Sequence, residues 1–193
     1  MLSGQPNNYL ELQRQLSLGS QEALKSLYDG AGSKLFQFAY SIVHSKEIAE
    51  EVIQDVFLEV WKNRQKFATI ENLKLYLYIC TRNMSITHLR KSNKHRSFSL
   101  DEIKLPFLKV ESTPEDLFIT GEMLHRINFA INNLPLQCRL IFKLVKEDGF
   151  KYREVAELMQ ISQKTVENQM GIAIRKITAS FRTHFQDKKS STG

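Results

Sequence analysis

Residues 152–177, YREVAELMQISQKTVENQMGIAIRKI, hold two helical periods separated by three residues, and that break constrains the fold more than any other stretch. In the first period Val155, Ala156, Leu158 and Met159 fall on one side. In the second, Val166, Met170, Ala173, Ile177 and Phe181 recur in steps of four, three, four and four. Between them lies Gln160-Ile161-Ser162, with Ile161 placed to plug a core and Ser162 to cap the next helix. Thr165 occupies the place where a full capping box has Glu or Gln. The outer face of the second helix carries Lys164, Asn168, Gly171 and Arg175, flanked by Gln163, Glu167 and Gln169. Two helices across so short a turn form the unit that lays a second helix in the DNA major groove. An ordinary helical hairpin with one polar face has the same pattern, so the rest of the chain must decide between them.

That remainder is helical too. Strand-like alternation is nearly absent, and 193 residues contain only 8 Gly and 4 Pro. A hydrophobic fraction of 42% supports real cores, and the length suits one large domain or two small ones. The expected fold is all-α: two small helical domains joined by a flexible linker, the C-terminal one containing the helix-turn-helix. Cys80 and Cys138 both sit in apolar helical patterns, which points to buried, reduced thiols, and two cysteines are too few for a metal framework. The N-terminal MLSGQPNNYLELQ has no apolar signal core, and no run approaches membrane-spanning length, so a cytoplasmic protein is expected.

The net charge of +6 is unevenly spread. Residues 1–97 carry 13 basic and 9 acidic groups, residues 98–117 carry 2 and 5, and residues 118–193 carry 12 and 7. Two basic blocks around an acidic connector fit two domains facing nucleic acid and a linker that avoids phosphates. Along the first block, helices are expected over Tyr9–Leu18 and Ser20–Asp29, with a break at Gly30–Gly32. A helix bearing Leu35, Phe38, Ala39, Ile42 and Val43 follows, then Glu47–Lys66, a loop at Ala68–Asn72, and Leu73–Arg90. In the second block Thr113-Pro114 is a helix start, Pro135 opens another helix, and Asp148-Gly149 ends it.

Two helices carry constellations of their own. On Glu47–Lys66, the residues Ile48, Val52, Ile53, Val56, Phe57 and Val60 cluster on one side. Glu47, Glu51, Gln54, Asp55 and Lys62 lie opposite, with Leu58 alone in their midst. An apolar centre ringed by carboxylates is the make-up of a contact patch for a basic partner. On Leu73–Arg90, Tyr76, Tyr78, Arg82, Asn83, His88, Arg90 and Lys91 combine rings, amide and cations, as single-stranded nucleic acid requires, although half-buried core tyrosines give the same pattern. No phosphate-binding Gly loop, paired-His spacing or nucleophile elbow occurs, so no catalytic residue, metal, cofactor or small-molecule substrate is expected.

In this order the segments resemble a bacterial RNA polymerase sigma factor of the extracytoplasmic-function type, the two-domain branch of the sigma-seventy family. AEEVIQDVFLEVWKN, residues 49–63, resembles the family helix that binds the β′ clamp. YLYICTRNMSITHLRK, residues 76–91, resembles its promoter-melting segment, with Tyr76 where an aromatic is expected. LPLQCRLIFKLVKEDGFKYREVAELMQISQKTVENQM, residues 134–170, resembles the domain that reads the upstream promoter element and sits against the β flap. The resemblance implies residues 1–97 as the polymerase-binding and melting domain, 98–113 as linker and 114–193 as the upstream-reading domain. It implies core RNA polymerase, promoter DNA and an anti-sigma factor as partners.

Site residues follow from the same resemblance. Glu51, Gln54, Asp55 and Leu58 would contact polymerase. Tyr76, Arg82, Asn83, Arg90 and Lys91 would hold melted DNA. Gln163, Lys164 and Asn168 would face bases, Thr165 would belong to the same DNA-binding set, and Arg153, Arg175 and Lys176 would face phosphates. One departure stands out: where many relatives have Arg or Lys after the Thr-Val pair, this chain has Glu167, Asn168, Gln169, Ile172 and Ile174. The segment KTVENQ also resembles the effector domains of two-component regulators, so a helix-turn-helix regulator outside the holoenzyme is the alternative. Residues 1–97 show none of the βα alternation that such a regulator's receiver domain needs. The acidic linker fits either a basic channel of the polymerase or a solvated tether.

Overall fold

The computed structural model describes residues 6–92 and 121–190, with side chains described for 9–91 and 127–179. Among these residues the secondary structure is wholly helical. The chain divides into two compact units. The first holds α1 (Pro6–Ser17), α2 (Gln21–Val43), α3 (Lys46–Lys62), a 3₁₀ helix (Arg64–Thr69) and α4 (Leu73–Ser92). The second holds α5 (Gly121–Asn132), α6 (Leu136–Lys146), α7 (Tyr152–Met159) and α8 (Gln163–Ser190). The linker 98–113 and the helix start at Thr113-Pro114 lie outside the described residues.

In the first unit α3 packs against both α2 and α4. Ala49, Val52, Ile53, Val56, Phe57 and Val60 of α3 are buried, as are Leu35, Phe38, Ala39, Ile42 and Val43 of α2. Capping fixes where these helices begin. Ser20 Oγ accepts from the Ala23 N–H at 3.1 Å and Ser45 Oγ from the Ile48 N–H at 3.2 Å. Each such cap is worth about 1 kcal/mol over alanine. Both serine hydroxyls in turn donate to an acid in the first turn, Glu22 or Glu47. A backbone N–H bond and then the serine hold the Glu22 carboxyl below its ordinary pKa, and the serine and then a backbone N–H bond do so for Glu47.

Two sequence expectations fail here. Gly30–Gly32 does not break the chain, because α2 runs unbroken from Gln21 to Val43. Two mid-helix glycines cost about 2 kcal/mol against alanine, but Ala23 and Leu27 before them and Leu35 and Phe38 after them are all buried. Burying a side chain of that kind contributes about 1.5–3 kcal/mol, so packing overrides propensity. Similarly, α3 closes at Lys62 and not at Lys66. The Asn63 amide donates back to the Glu59 carbonyl at 3.2 Å, Arg64 lies over the Trp61 ring at 4.8 Å, and Phe67 is buried. The segment expected as loop after 67 therefore begins as a 3₁₀ turn.

In the second unit α8 packs on α5, α6 and α7. Pro135 starts α6, and Gly149 (φ 71°) sits in the turn before α7, as the sequence predicts. Val166, Met170 and Ala173 are buried, with Ile177 packed beside them, whereas the Phe181 side chain lies outside the described residues. Cys138 is buried and its thiol donates to the Gln169 carbonyl at 3.2 Å, while Cys80 is only partly covered. Both are free thiols, and burial raises the pKa of each.

Gly32 gives a direct test of the continuous α2. The nearest atoms a Cβ there would meet are those of the Tyr28 ring, at an ordinary 3.7 Å. Gly32→Ala should therefore stabilise the first unit by about 0.5–1 kcal/mol, read as a higher denaturant midpoint.

Candidate binding surfaces

The outer face of α3 is built as the sequence predicts. Glu51, Gln54 and Asp55 are exposed, and Leu58 stands 53% exposed among them. The opposite face holds the core, so no rotation of α3 could hide Leu58 without exposing valines. Sequence reading missed the hold that α4 has on this surface. His88 places Nε2 2.9 Å from Asp55 Oδ2 and Nδ1 3.6 Å from Glu51 Oε2. Spacing within either helix could not show this, since the contact spans 33 residues.

On α4 the sequence constellation splits. Tyr76, Asn83, Thr87 and Arg90 are spaced by seven, four and three residues, which puts them in one row about 21 Å long. Asn83, Thr87, Arg90 and Lys91 are exposed. Tyr76 is partly covered: its ring meets Phe67 edge-to-face at 5.4 Å, and its phenol donates to the Cys80 thiol. Burial, then that bond, push the Tyr76 pKa up to about 12, so the ring is a neutral, anchored platform.

Tyr78 and Arg82 leave the row for the interior, as His88 leaves it for α3. Tyr78 is a core residue, 5.1 Å from the Phe38 ring. Arg82 is only 7% exposed, which corrects its expected role as a cation facing DNA. Burial lowers its pKa, although guanidinium stays charged at neutral pH, and Nη1 donates to Asn83 Oδ1 at 3.2 Å. Geometrically, Arg82 orients Asn83.

The turn before this row has an anchor that sequence reading missed. Gln13 is buried, and its Nε2 donates to the Phe67 carbonyl at 2.9 Å and the Ile70 carbonyl at 2.7 Å. The signal was available: Tyr9, Gln13 and Leu16 are spaced as one helical stripe, so Gln13 falls on the buried face of α1.

The helix-turn-helix forms as expected. Gln160 takes a left-handed conformation (φ 56°), its N–H reaching the Ala156 and Glu157 carbonyls, and the Ile161 N–H bonds to Ala156 O at 3.0 Å. This reciprocal closure ends α7 and turns the chain within three residues. Ser162 Oγ then accepts from the Thr165 N–H at 3.0 Å, and the Ser162 and Thr165 hydroxyls share a 2.8 Å bond. Thr165 is thus part of the cap. Gln163, Lys164, Asn168, Arg175 and Lys176 on α8 are exposed, as is Arg153 on α7. Among the five departures, Gln169 turns inward to Gln137 (3.5 Å) and Ile172 packs on the core, so only Glu167, Asn168 and Ile174 face out.

Comparison with known proteins decides what these surfaces belong to. Residues 27–95 match Sigma-70 region 2 and residues 124–177 match Sigma-70, region 4. The chain is 23% identical over 164 residues to the ECF RNA polymerase sigma factor SigW of Bacillus subtilis, spanning 81% of this chain and 88% of that one. It is 22% identical over 172 residues to SigK of Mycobacterium tuberculosis, spanning 86% and 89%. This chain is an extracytoplasmic-function sigma factor of the sigma-70 family. Its fold is also that of sigma factor RpoE of Bartonella quintana, solved with the anti-sigma factor NepR (TM-score 0.55, 20% identity, 82% of this chain and 96% of that one). CnrH, solved with the cytosolic domain of CnrY, is similar at TM-score 0.54 and 22% identity, over 90% and 97%. In this sigma factor α1, with Gln13, lies outside the region 2 match. Among the described residues no helix is long and apolar enough to cross a membrane.

Gln13→Leu leaves the Ile70 carbonyl without its donor and the Phe67 carbonyl with only the Ile70 N–H, at 3.2 Å. It should destabilise the first unit by about 1–3 kcal/mol, measured by urea unfolding followed through Trp61, the chain's single tryptophan.

Proposed function

We propose that this sigma factor works in the cytoplasm, where it binds core RNA polymerase and directs it to promoters through three surfaces. The acidic face of α3 (Glu51, Gln54, Asp55, Leu58) docks on the β′ clamp. Leu58 supplies the desolvated centre and the carboxylates steer a basic partner surface. The row on α4 holds the melted strand: Tyr76 is the anchored ring, Asn83 the base-reading amide set by Arg82, and Arg90 and Lys91 meet the backbone. The second unit reads the upstream element through α8 and sits against the β flap. Gln163, Lys164 and Asn168 face base edges, Thr165 holds the helix start, and Arg153, Arg175 and Lys176 contact phosphates.

The observation that carries this reading is the isolated, half-exposed Leu58 among acids, on a helix whose other face is fully consumed by the core. Sigma factors act by binding, and no catalytic step is assigned to this chain. An anti-sigma factor is proposed as regulator, by likeness to the RpoE–NepR complex. A helix-turn-helix regulator outside the holoenzyme would leave the whole first unit without a role. The proposed domains are residues 1–97 and 114–193 around the linker 98–113.

Leu58→Asp should weaken core polymerase binding by roughly thirtyfold, the effect of losing an interface anchor worth about 2 kcal/mol. Helical content should be unchanged. Pull-down with core polymerase against circular dichroism checks both, and undiminished binding would remove the α3 face from the interface.

A further inference from the structure

Among the residues of α8 whose side chains are described, the outer face carries one acid, Glu167, whose charge is repelled by DNA phosphates. Its side chain is 40% exposed and collects two donors: Lys164 Nζ at 3.3 Å on Oε2, and Gln163 Nε2 at 3.4 Å on Oε1. A carboxylate only accepts hydrogen bonds, so the Gln163 amide must turn its NH₂ inward, leaving its carbonyl oxygen for the outside. One N–H of that amide is thereby committed to Glu167, and only the other remains for an adenine edge. Lys164 is likewise partly spent on Glu167. The first two turns of α8 therefore present two acceptors, the Gln163 carbonyl and the unused lone pairs of Glu167, and little net charge. Asn168 makes no side-chain hydrogen bond among the described residues, and the next cations outward are Arg175 and Lys176.

We propose that Glu167 is a specificity-determining residue of the promoter contact, selecting an exocyclic amine in the major groove, cytosine N4 above all. The inference rests on α8 being the promoter-reading helix. Glutamate accepts from cytosine N4, and adenine N6 offers the same donor. Guanine O6 and N7, thymine O4 and the phosphates are all acceptors, and each repels a carboxylate brought close. Discrimination thus comes as much from rejecting wrong bases as from attracting the right one. Non-specific DNA is rejected by the same charge.

The test uses holoenzyme formed from the full chain and core polymerase, titrated against promoters with a randomised upstream element at two salt concentrations. Wild type is compared with Glu167→Gln and Glu167→Ala. Both variants should bind random-sequence DNA several-fold more tightly and lose about tenfold of the preference for a cytosine-containing pair at one position. Salt dependence should steepen by up to one charge. Preferences unchanged at every position in both variants would overturn the role of Glu167. A wild-type holoenzyme with no upstream preference at all would instead overturn promoter reading by α8, and this proposal with it. Because Glu167 is on the surface, core binding and helical content should match wild type in both variants.

Discussion

The burial of one face of α3 is the constraint from which the first unit follows. Val52, Ile53, Val56, Phe57 and Val60 fill the space between α2 and α4, so each of these three helices loses its freedom to rotate. Once that face is spent, the polar face must point outward, and Leu58 with it. The same packing aligns α4, whose small buried residues Thr81 and Ser85 satisfy their hydroxyls on the preceding turn, at Leu77 O (2.8 Å) and Thr81 O (2.7 Å). Core packing and surface layout are one event here. His88 adds a polar tie between the two helices at the surface, where α3 carries its acids.

The second unit solves a different problem. Here α8 is held at its N-terminus while its outer face stays bare. The left-handed Gln160, the Ser162 cap and the buried Val166–Met170–Ala173 stripe do the holding from below and behind. What remains outward is nearly neutral at the start of α8 and basic further along. Under the proposed promoter contact, register on the phosphates and reading of bases fall to different turns of one helix.

Much of this was legible in the sequence because helical periodicity is dense and turn formers are few. The stripes on α2, α3 and α8, the Ser162 cap and the exposed Leu58 could all be read from spacing alone. Gly30–Gly32 misled because local propensity is worth less than the apolar residues flanking it on both sides. Arg82 misled because a charge in sequence gives no sign of burial, and its depth depends on how α4 packs in three dimensions. The ties of His88 to α3 and Gln13 to the 3₁₀ turn join residues 33 or more apart, beyond the reach of any one-helix pattern. Glu167 was visible as a departure, but its hold on the Gln163 amide was not.

The most direct measurement is run-off transcription with core polymerase, purified chain and genomic promoter fragments. A sigma factor of this build gives discrete transcripts from a shared upstream and downstream element, and none when the chain is omitted. Core polymerase that binds the chain yet starts nowhere specific, or does not bind it at all, would contradict this function.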